Sequence, residues 1–271
     1  MTTFRALHER GQAFVIPNPW DVGTARVLAS MGFEALATTS AGLAFSLGVP
    51  EGLLGRDEVL NHCRDLVNAT DLPVSADLEK GFGDNPAAVA ETVILAAETG
   101  LAGCSIEDHT GDPDNPIFDF GLTVDRITAA VDAARSLPGD FVLTARAENF
   151  LHGRPDLIDT IKRLQAFDDA GADVLYAPGL QTLDEIQAVC DAVSKPVNVV
   201  MGMPGAVFGV PELSAAGVKR ISIGSAFARL AFGSLMSACR EILDDGTFGF
   251  AKDAAGFAEL DGIFSSYQQR D

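Results

Sequence analysis

The sequence predicts a single parallel (β/α)8 barrel, and three observations carry that expectation. Short β-rich apolar runs alternate with helical patterns along the 271 residues, giving eight strand-then-helix units in one chain. The C-terminal ends of these runs collect carboxylates, a guanidinium and small hydroxyl residues, and such barrels gather their chemistry at that end. The architectural alternative, a doubly wound open sheet, would want a GxGxxG turn after an early strand, and the chain has none. The expected organisation is one domain over 1–271, with a helical C-terminal extension over about 226–271.

Each element follows from local chemistry. An opening helix, about Phe4 to Arg10, precedes strand one, Ala13-Phe14-Val15-Ile16, which stops at Pro17-Asn18-Pro19. Asp21 caps a helix from Val22 to Met31, and Gly32 closes it. Strand two is the run from Phe33 to Ser40, breaking into a small-residue loop, Ala41-Gly42-Leu43. A second loop carries Gly48-Val49-Pro50-Glu51-Gly52 before a helix from Asp57 to about Ala69. Strand three lies in Leu72 to Asp84, and Pro86 starts a helix to Thr99. Gly103 to Asp108 is strand four, followed by a glycine- and proline-rich loop, His109 to Gly121, and an amphipathic helix from Val124 to Arg135. Strand five is Phe141 to Glu148, with a helix reaching about Ala170. Strand six is Asp173 to Ala177, with a helix near Leu183 to Val193; strand seven is Pro196 to Met201, with a short helix near Pro211 to Ala215. Strand eight, Arg220 to Gly224, leads into a long helix from Ala226 to Leu243, and a last helical segment covers about Ala251 to Tyr267.

The stretch around strand three organises the site. In Val74-Ser75-Ala76-Asp77-Leu78-Glu79, period two sets Asp77 and Glu79 on one side of the strand, running into Gly81 and Gly83, which permit a sharp turn. Two carboxylates side by side in a partly dry mouth repel unless a proton or cation sits between them, and a hard divalent metal satisfies both. A solvated strand end is the alternative for this pair taken alone. Glu107-Asp108 and Arg146, with Thr39-Ser40 and Asn198, complete a strand-end set that one hard cation and one carboxylate-bearing substrate would satisfy.

Bulk properties narrow the partners. With 47% hydrophobic and 21% charged residues, the composition is that of a soluble globular chain. A formal net charge of -19 without basic stripes argues against nucleic acid. No apolar run approaches the ~20 residues of a membrane span and the N-terminus lacks a signal-peptide core, so no membrane partner and a cytoplasmic location are expected. Cys63, Cys104, Cys190 and Cys239 are scattered, indicating neither a zinc site nor a disulfide framework.

The ordered set Asn18-Pro19-Trp20-Asp21, Thr39-Ser40-Ala41-Gly42, Leu47-Gly48-Val49-Pro50-Glu51, Asp77-Leu78-Glu79-Lys80-Gly81-Phe82-Gly83, Ile106-Glu107-Asp108 and Ala145-Arg146 resembles the isocitrate lyase / phosphoenolpyruvate mutase superfamily over about residues 14 to 225. The resemblance implies a (β/α)8 barrel, dependence on Mg2+ (with Mn2+ as an alternative), small 2-oxo acid substrates or precursors of them, and a homo-oligomer, tetramer or dimer, with swapped C-terminal helices. It also implies roles: Asp77 as the direct metal ligand; Glu79, Glu107 and Glu51 as acids holding the metal largely through water; Arg146 as the substrate-carboxylate clamp; Thr39, Ser40 and Gly42 as the loop holding the same carboxylate and oxyanion; and Asn198 as a pocket asparagine. The chain departs from the lyase branch after strand four. In place of a Lys-Lys/Arg-Cys-Gly-His gate it carries His109-Thr110-Gly111-Asp112-Pro113-Asp114-Asn115-Pro116, with neither cysteine nor lysine.

His109 is the only histidine expected near the mouth and stands as a general acid in place of the missing cysteine, or else as a solvated structural group. His8, His62 and His152 read as peripheral. Trp20 either lines the pocket or packs beneath it. Arg146 either clamps substrate or pairs structurally with Glu148 or Glu107. The loop from His109 to Gly121 is either a lid or an ordinary connection. The function expected is a Mg2+-dependent carbon–carbon lyase or decarboxylase acting on a small 2-oxo or 2-hydroxy carboxylic acid through an enolate. A carbon–phosphorus enzyme of the phosphonopyruvate hydrolase or mutase type ranks second, because the gate offers no cation for a phosphonate. A 2-oxo acid binding protein without turnover is the third reading.

Overall fold

In the computed structural model, which describes residues 3–205 and 207–268, eight short strands alternate with helices around one sheet. The strands are β1 (Phe14–Ile16), β2 (Leu36–Ala37), β3 (Val74–Asp77), β4 (Gly103–Glu107), β5 (Val142–Arg146), β6 (Val174–Tyr176), β7 (Val197–Val200) and β8 (Arg220–Ser222). All pair in parallel in the order β1-β8-β7-β6-β5-β4-β3-β2. The remaining gap is bridged where Ala37 N–H donates to Pro17 O at 3.0 Å. This is the expected barrel.

Helices α1 (Phe4–His8), α2 (Val22–Ser30), α3 (Ser40–Ser46), α4 (Arg56–Ala69), α5 (Pro86–Ala97) and α6 (Phe120–Ser136) occupy the first half. The second half holds α7 (Leu157–Asp169), α8 (Leu183–Ala192), α9 (Val210–Ala215), α10 (Ala226–Arg240) and α11 (Phe257–Gln268). The main core lies between strands and helices, with Leu36, Leu66, Ile106, Leu143, Leu164 and Phe167 fully buried. A smaller cluster, Phe4, Leu7, Phe14, Ile16, Val142 and Val174, sits where α1 covers the N-terminal end of the barrel. Burial of such side chains stabilises by about 1.5–3 kcal/mol each. No helix among the described residues is long and apolar enough to cross a membrane.

Several expected boundaries move, each for a local reason. Strand two is not the run 33–40 but Leu36–Ala37, because the Thr39 hydroxyl accepts from Gly42 N–H at 3.1 Å and caps α3, turning the expected small-residue loop into a helix. Asp119 caps α6, so that helix begins at Phe120 rather than Val124. β3 ends at Asp77, and Glu79 has φ 50°, so period two does not bring this pair together. Phe82 (φ 57°) is also left-handed, an uncommon conformation for residues with side chains, and Gly81 (φ 80°) takes it without strain. Buried Arg126 holds this turn by donating to the carbonyls of Lys80, Gly83 and Asp84. At the C-terminus, α10 stops at Arg240 and passes into a π-helical turn, Glu241–Asp245. α11 packs back on α2, where Arg26 lies 5.2 Å from the Tyr267 ring.

Candidate active site

At the C-terminal rim, β5 ends in Arg146, whose buried guanidinium bridges acids from three strand ends. Its Nη1 donates to Asp77 Oδ1 at 2.9 Å, its Nη2 lies 3.2 Å from Glu107 Oε2, and Nε and Nη2 both meet Glu148 Oε1 at 2.9 Å. The Tyr176 ring lies beneath, 4.9 Å from the guanidinium carbon. Burial opposes the Arg146 charge, yet Glu148, Glu107 and Asp77 together raise its pKa well above the ordinary value.

One guanidinium does not neutralise this set. Burial pushes Glu79 up to about 7, with Asp77 and Glu51 adding repulsion. Burial also raises Glu107 well above the carboxylate range, with Arg146 opposing it and Glu148, Asp77 and Glu79 pushing further up. For Glu148 burial is outweighed by Arg146 and by His152, so its pKa is lowered. Ser40 Oγ sits 2.7 Å from Glu51 Oε1 and 3.1 Å from Asp77 Oδ2, its single proton serving one at a time. Thr38 Oγ1 accepts from Asp77 N–H at 2.8 Å and fixes the end of β3.

The structure distributes the sequence candidates in three ways. Asp77, Glu51, Thr39, Ser40, Arg146 and Asn198 line one cavity of about 390 Å3. Glu79 and Glu107 stand beside it, in electrostatic contact with Asp77. Trp20 is outside its lining and backs α3, where a Cβ at Gly42 would lie 3.2 Å from the Trp20 Cβ and 2.4 Å from Thr39 Cγ2. Both readings of Arg146 meet in one place, since it pairs with Glu148 and Glu107 while facing the cavity.

Asp108 departs from the expectation that it serves the same shell as Glu107. Successive strand residues face opposite ways, and Asp108 turns outward to accept from Glu148 N–H at 2.8 Å and to pair with Arg163 at 3.1 Å. His152 also departs, since it is not peripheral. Its ring stacks on His109 with centroids 3.7 Å apart, its Nε2 lies 3.7 Å from Glu148 Oε2, and His109 Nδ1 lies 3.8 Å from Glu107 Oε1. Burial and then His152 lower the His109 pKa. The loop carrying His109 is itself a small hairpin, tied by a bridge between His109 and Ile117 and by Thr110 N–H to Pro116 O at 2.9 Å.

Sequence reasoning missed Tyr176 and Arg220, which also line the cavity. Tyr176 reads as an ordinary aromatic strand residue. Arg220 carried a signal in its charge at the start of a short strand run with Ile221 and Ile223.

The chain is similar to several known proteins. A family described as Phosphoenolpyruvate phosphomutase matches residues 4–243. The 2-methylisocitrate lyase of Escherichia coli (strain K12) is 34% identical over 233 residues, covering 79% of this chain and 77% of that one. A Burkholderia cenocepacia J2315 protein, provisionally described as a lyase/mutase, has a crystal structure that superposes with a TM-score of 0.95 at 60% identity, covering 97% of this chain and 94% of its own. The structure of 2,3-dimethylmalate lyase, a PEP mutase/isocitrate lyase superfamily member, superposes with a TM-score of 0.86 at 27% identity, covering 98% and 94%.

Proposed function

This chain belongs to the phosphoenolpyruvate phosphomutase family, and from that premise we propose that it is a Mg2+-dependent carbon–carbon lyase or decarboxylase, cleaving a small 2-oxo or 2-hydroxy carboxylic acid through an enolate. The carrying observation is the Asp77–Arg146 pair, 2.9 Å apart on the cavity wall and surrounded by more carboxylates than the guanidinium can neutralise. Likeness to 2-methylisocitrate lyase and 2,3-dimethylmalate lyase supports the reaction class.

The donor set fits the metal. Carboxylates and hydroxyls are hard oxygen donors, and Mg2+ takes one or two carboxylates while keeping several waters. No three acidic, histidine or cysteine side chains among the described residues form a ready cage; Asp77 as direct ligand, with Glu79, Glu107 and Glu51 acting through water, needs none. Bound there, Mg2+ supplies Lewis-acid stabilisation of the oxyanion that develops as the bond breaks. Arg146 orients the substrate carboxylate with its planar fork, exchanging contacts it now makes to acids. Thr39 and Ser40, with Gly42 keeping their backbone close, hold the same end of the substrate, while Trp20 backs them and Asn198 walls the inner side. Glu107, whose pKa burial raises, and His109 beside it hold the proton delivered to the departing carbon.

The same reading places the enzyme in the cytoplasm as a homotetramer or dimer with exchanged C-terminal helices. Exposure of Leu230 (65%), Leu235 (59%) and Met236 (52%) on α10 supports assembly. The test is a panel of oxaloacetate, 2-methylisocitrate, dimethylmalate and phosphonopyruvate with Mg2+, following pyruvate release. Turnover of a carbon–carbon substrate that is lost with chelator and in Asp77→Ala supports the assignment. Turnover of phosphonopyruvate alone, or full activity in Asp77→Ala, refutes it.

A further inference from the structure

At the inner end of the same cavity lies a second arginine whose surroundings differ from those of Arg146. Arg220 opens β8, is 5% exposed, and points into the barrel. Its Nε donates to Asn198 Oδ1 at 2.8 Å, its Nη2 donates to Thr144 Oγ1 at 2.9 Å, and its Nη1 lies 3.4 Å from His8 Nε2. His8 Nδ1 faces Phe4 O at 3.0 Å, so that nitrogen carries the proton and Nε2 presents a lone pair to the guanidinium. Every partner of Arg220 among the described residues is neutral.

A buried cation without an anion is costly, and natural chains pair such groups. Arg126, as deeply buried, shows the ordinary solution, spending its donors on three backbone carbonyls. Arg220 instead keeps the second N–H of each terminal nitrogen without an acceptor among the described residues. Burial lowers its pKa to about 10, which leaves it charged at neutral pH. The space above it is open. Barrel interiors are normally filled by layers of bulky branched side chains, whereas here Ser75, Ser105 and Ser222 line the same cavity as the two arginines. Thr144, which holds Arg220, lies two residues before Arg146 on β5, about 6.6 Å back along the strand. That spacing suits a short diacid. Asn198, joined to both Arg220 and Ser222 Oγ (3.1 Å), fixes the guanidinium plane.

We propose that the inner end of the cavity is an anion subsite, in which Arg220 receives the far carboxylate of a short dicarboxylic substrate whose 2-oxo or 2-hydroxy end lies at the Asp77–Arg146 level. This rests on the function proposed above and narrows its substrate class to diacids. Arg220 also offsets the acids at the rim, which otherwise repel a dianion.

Calorimetric titration with Mg2+ present tests this with ligand pairs that differ only by a terminal carboxylate in place of a methyl: malate against 2-hydroxybutyrate, and 2-oxoglutarate against 2-oxovalerate. Oxalate reports on the outer site alone. In the wild type at least one diacid is expected to bind about tenfold or more tighter than its partner, a difference of about 1.4 kcal/mol. Arg220→Met is expected to bring the pair within roughly twofold of each other, leave oxalate unchanged, and melt no lower than the wild type, because an uncompensated charge has been removed. Arg220→Lys, which keeps the charge, should retain part of the preference and serves if the methionine variant fails to fold. No diacid preference in the wild type, or a preference that survives Arg220→Met, overturns the proposal. Equal loss of oxalate and diacid in a folded Arg220→Met also overturns it, assigning Arg220 to architecture. Bromide binding that depends on Arg220 without any diacid preference would make this an inorganic anion site and likewise overturn the assignment. Failure of oxalate and both monoacids to bind wild type counts instead against the function proposed for the outer site.

Discussion

Replacing Arg146 by alanine measures how much the acid cluster depends on one guanidinium. The side chain is 12% exposed, and its partners Glu148, Glu107 and Asp77 are 2%, 10% and 21% exposed. Removal leaves Glu148 facing the His152 imidazole at 3.7 Å and Glu107 facing the His109 imidazole at 3.8 Å in place of a guanidinium. Breaking a buried pair by deleting one member costs about 3–5 kcal/mol, because the remaining charge is stranded. That corresponds to a loss of two to four orders of magnitude in the folding constant, at about 1.4 kcal/mol per tenfold. The variant's pH dependence gives an independent check. Stranded buried carboxylates have folded-state pKa values above their unfolded value of about 4.3, so the folded state binds more protons between those limits and stability falls as pH rises. Urea denaturation at a series of pH values should therefore show the largest difference from wild type near neutrality, shrinking towards about pH 4. A difference under about 1 kcal/mol at neutral pH, or one that grows on acidification, would show that Arg146 does not hold these acids.

Two further predictions follow from buried groups elsewhere. Burial, with Arg220 adding repulsion, pushes His8 down to about 3; the unfolded state then binds a proton below about pH 6.5 that the folded state refuses, so stability should fall by about 1.4 kcal/mol per pH unit from there towards pH 3. Denaturant titrations across that window should lose this slope in His8→Gln, and an unchanged slope would show that His8 is not the group responsible. Gly42→Ala should cost about 1–3 kcal/mol, since its Cβ would meet Thr39 Cγ2 at 2.4 Å. Thr39→Ser removes that methyl, so the double variant should recover much of the loss in a mutant cycle, and strict additivity of the two changes would refute the clash.

Much of the fold was legible because its signals are local. Pro17-Asn18-Pro19 ends β1, Asp21 caps α2, and Pro86 opens α5, each within a few residues of the boundary it sets. Thr39 shows the limit. The same residues read as a strand end followed by a loop, and only the accepted Gly42 N–H makes them a helix start. Glu79 shows another, since a left-handed backbone imposed by the turn replaces the strand alternation that the pattern suggested.

By itself the sequence determined the eightfold rhythm and the gathering of Asp77, Glu107 and Arg146 at strand ends, because periodicity and capping are properties of neighbouring residues and the barrel rule converts strand ends into one rim. Only tertiary structure decided which of those groups meet. Arg146 reaches Asp77 across 69 positions, Ser40 reaches Asp77 across 37, and Arg220 reaches Thr144 across 76. Contacts at such separations exist only once the sheet has closed on itself, and the charge balance follows from them: one arginine shared among three carboxylates, and another buried among neutral groups.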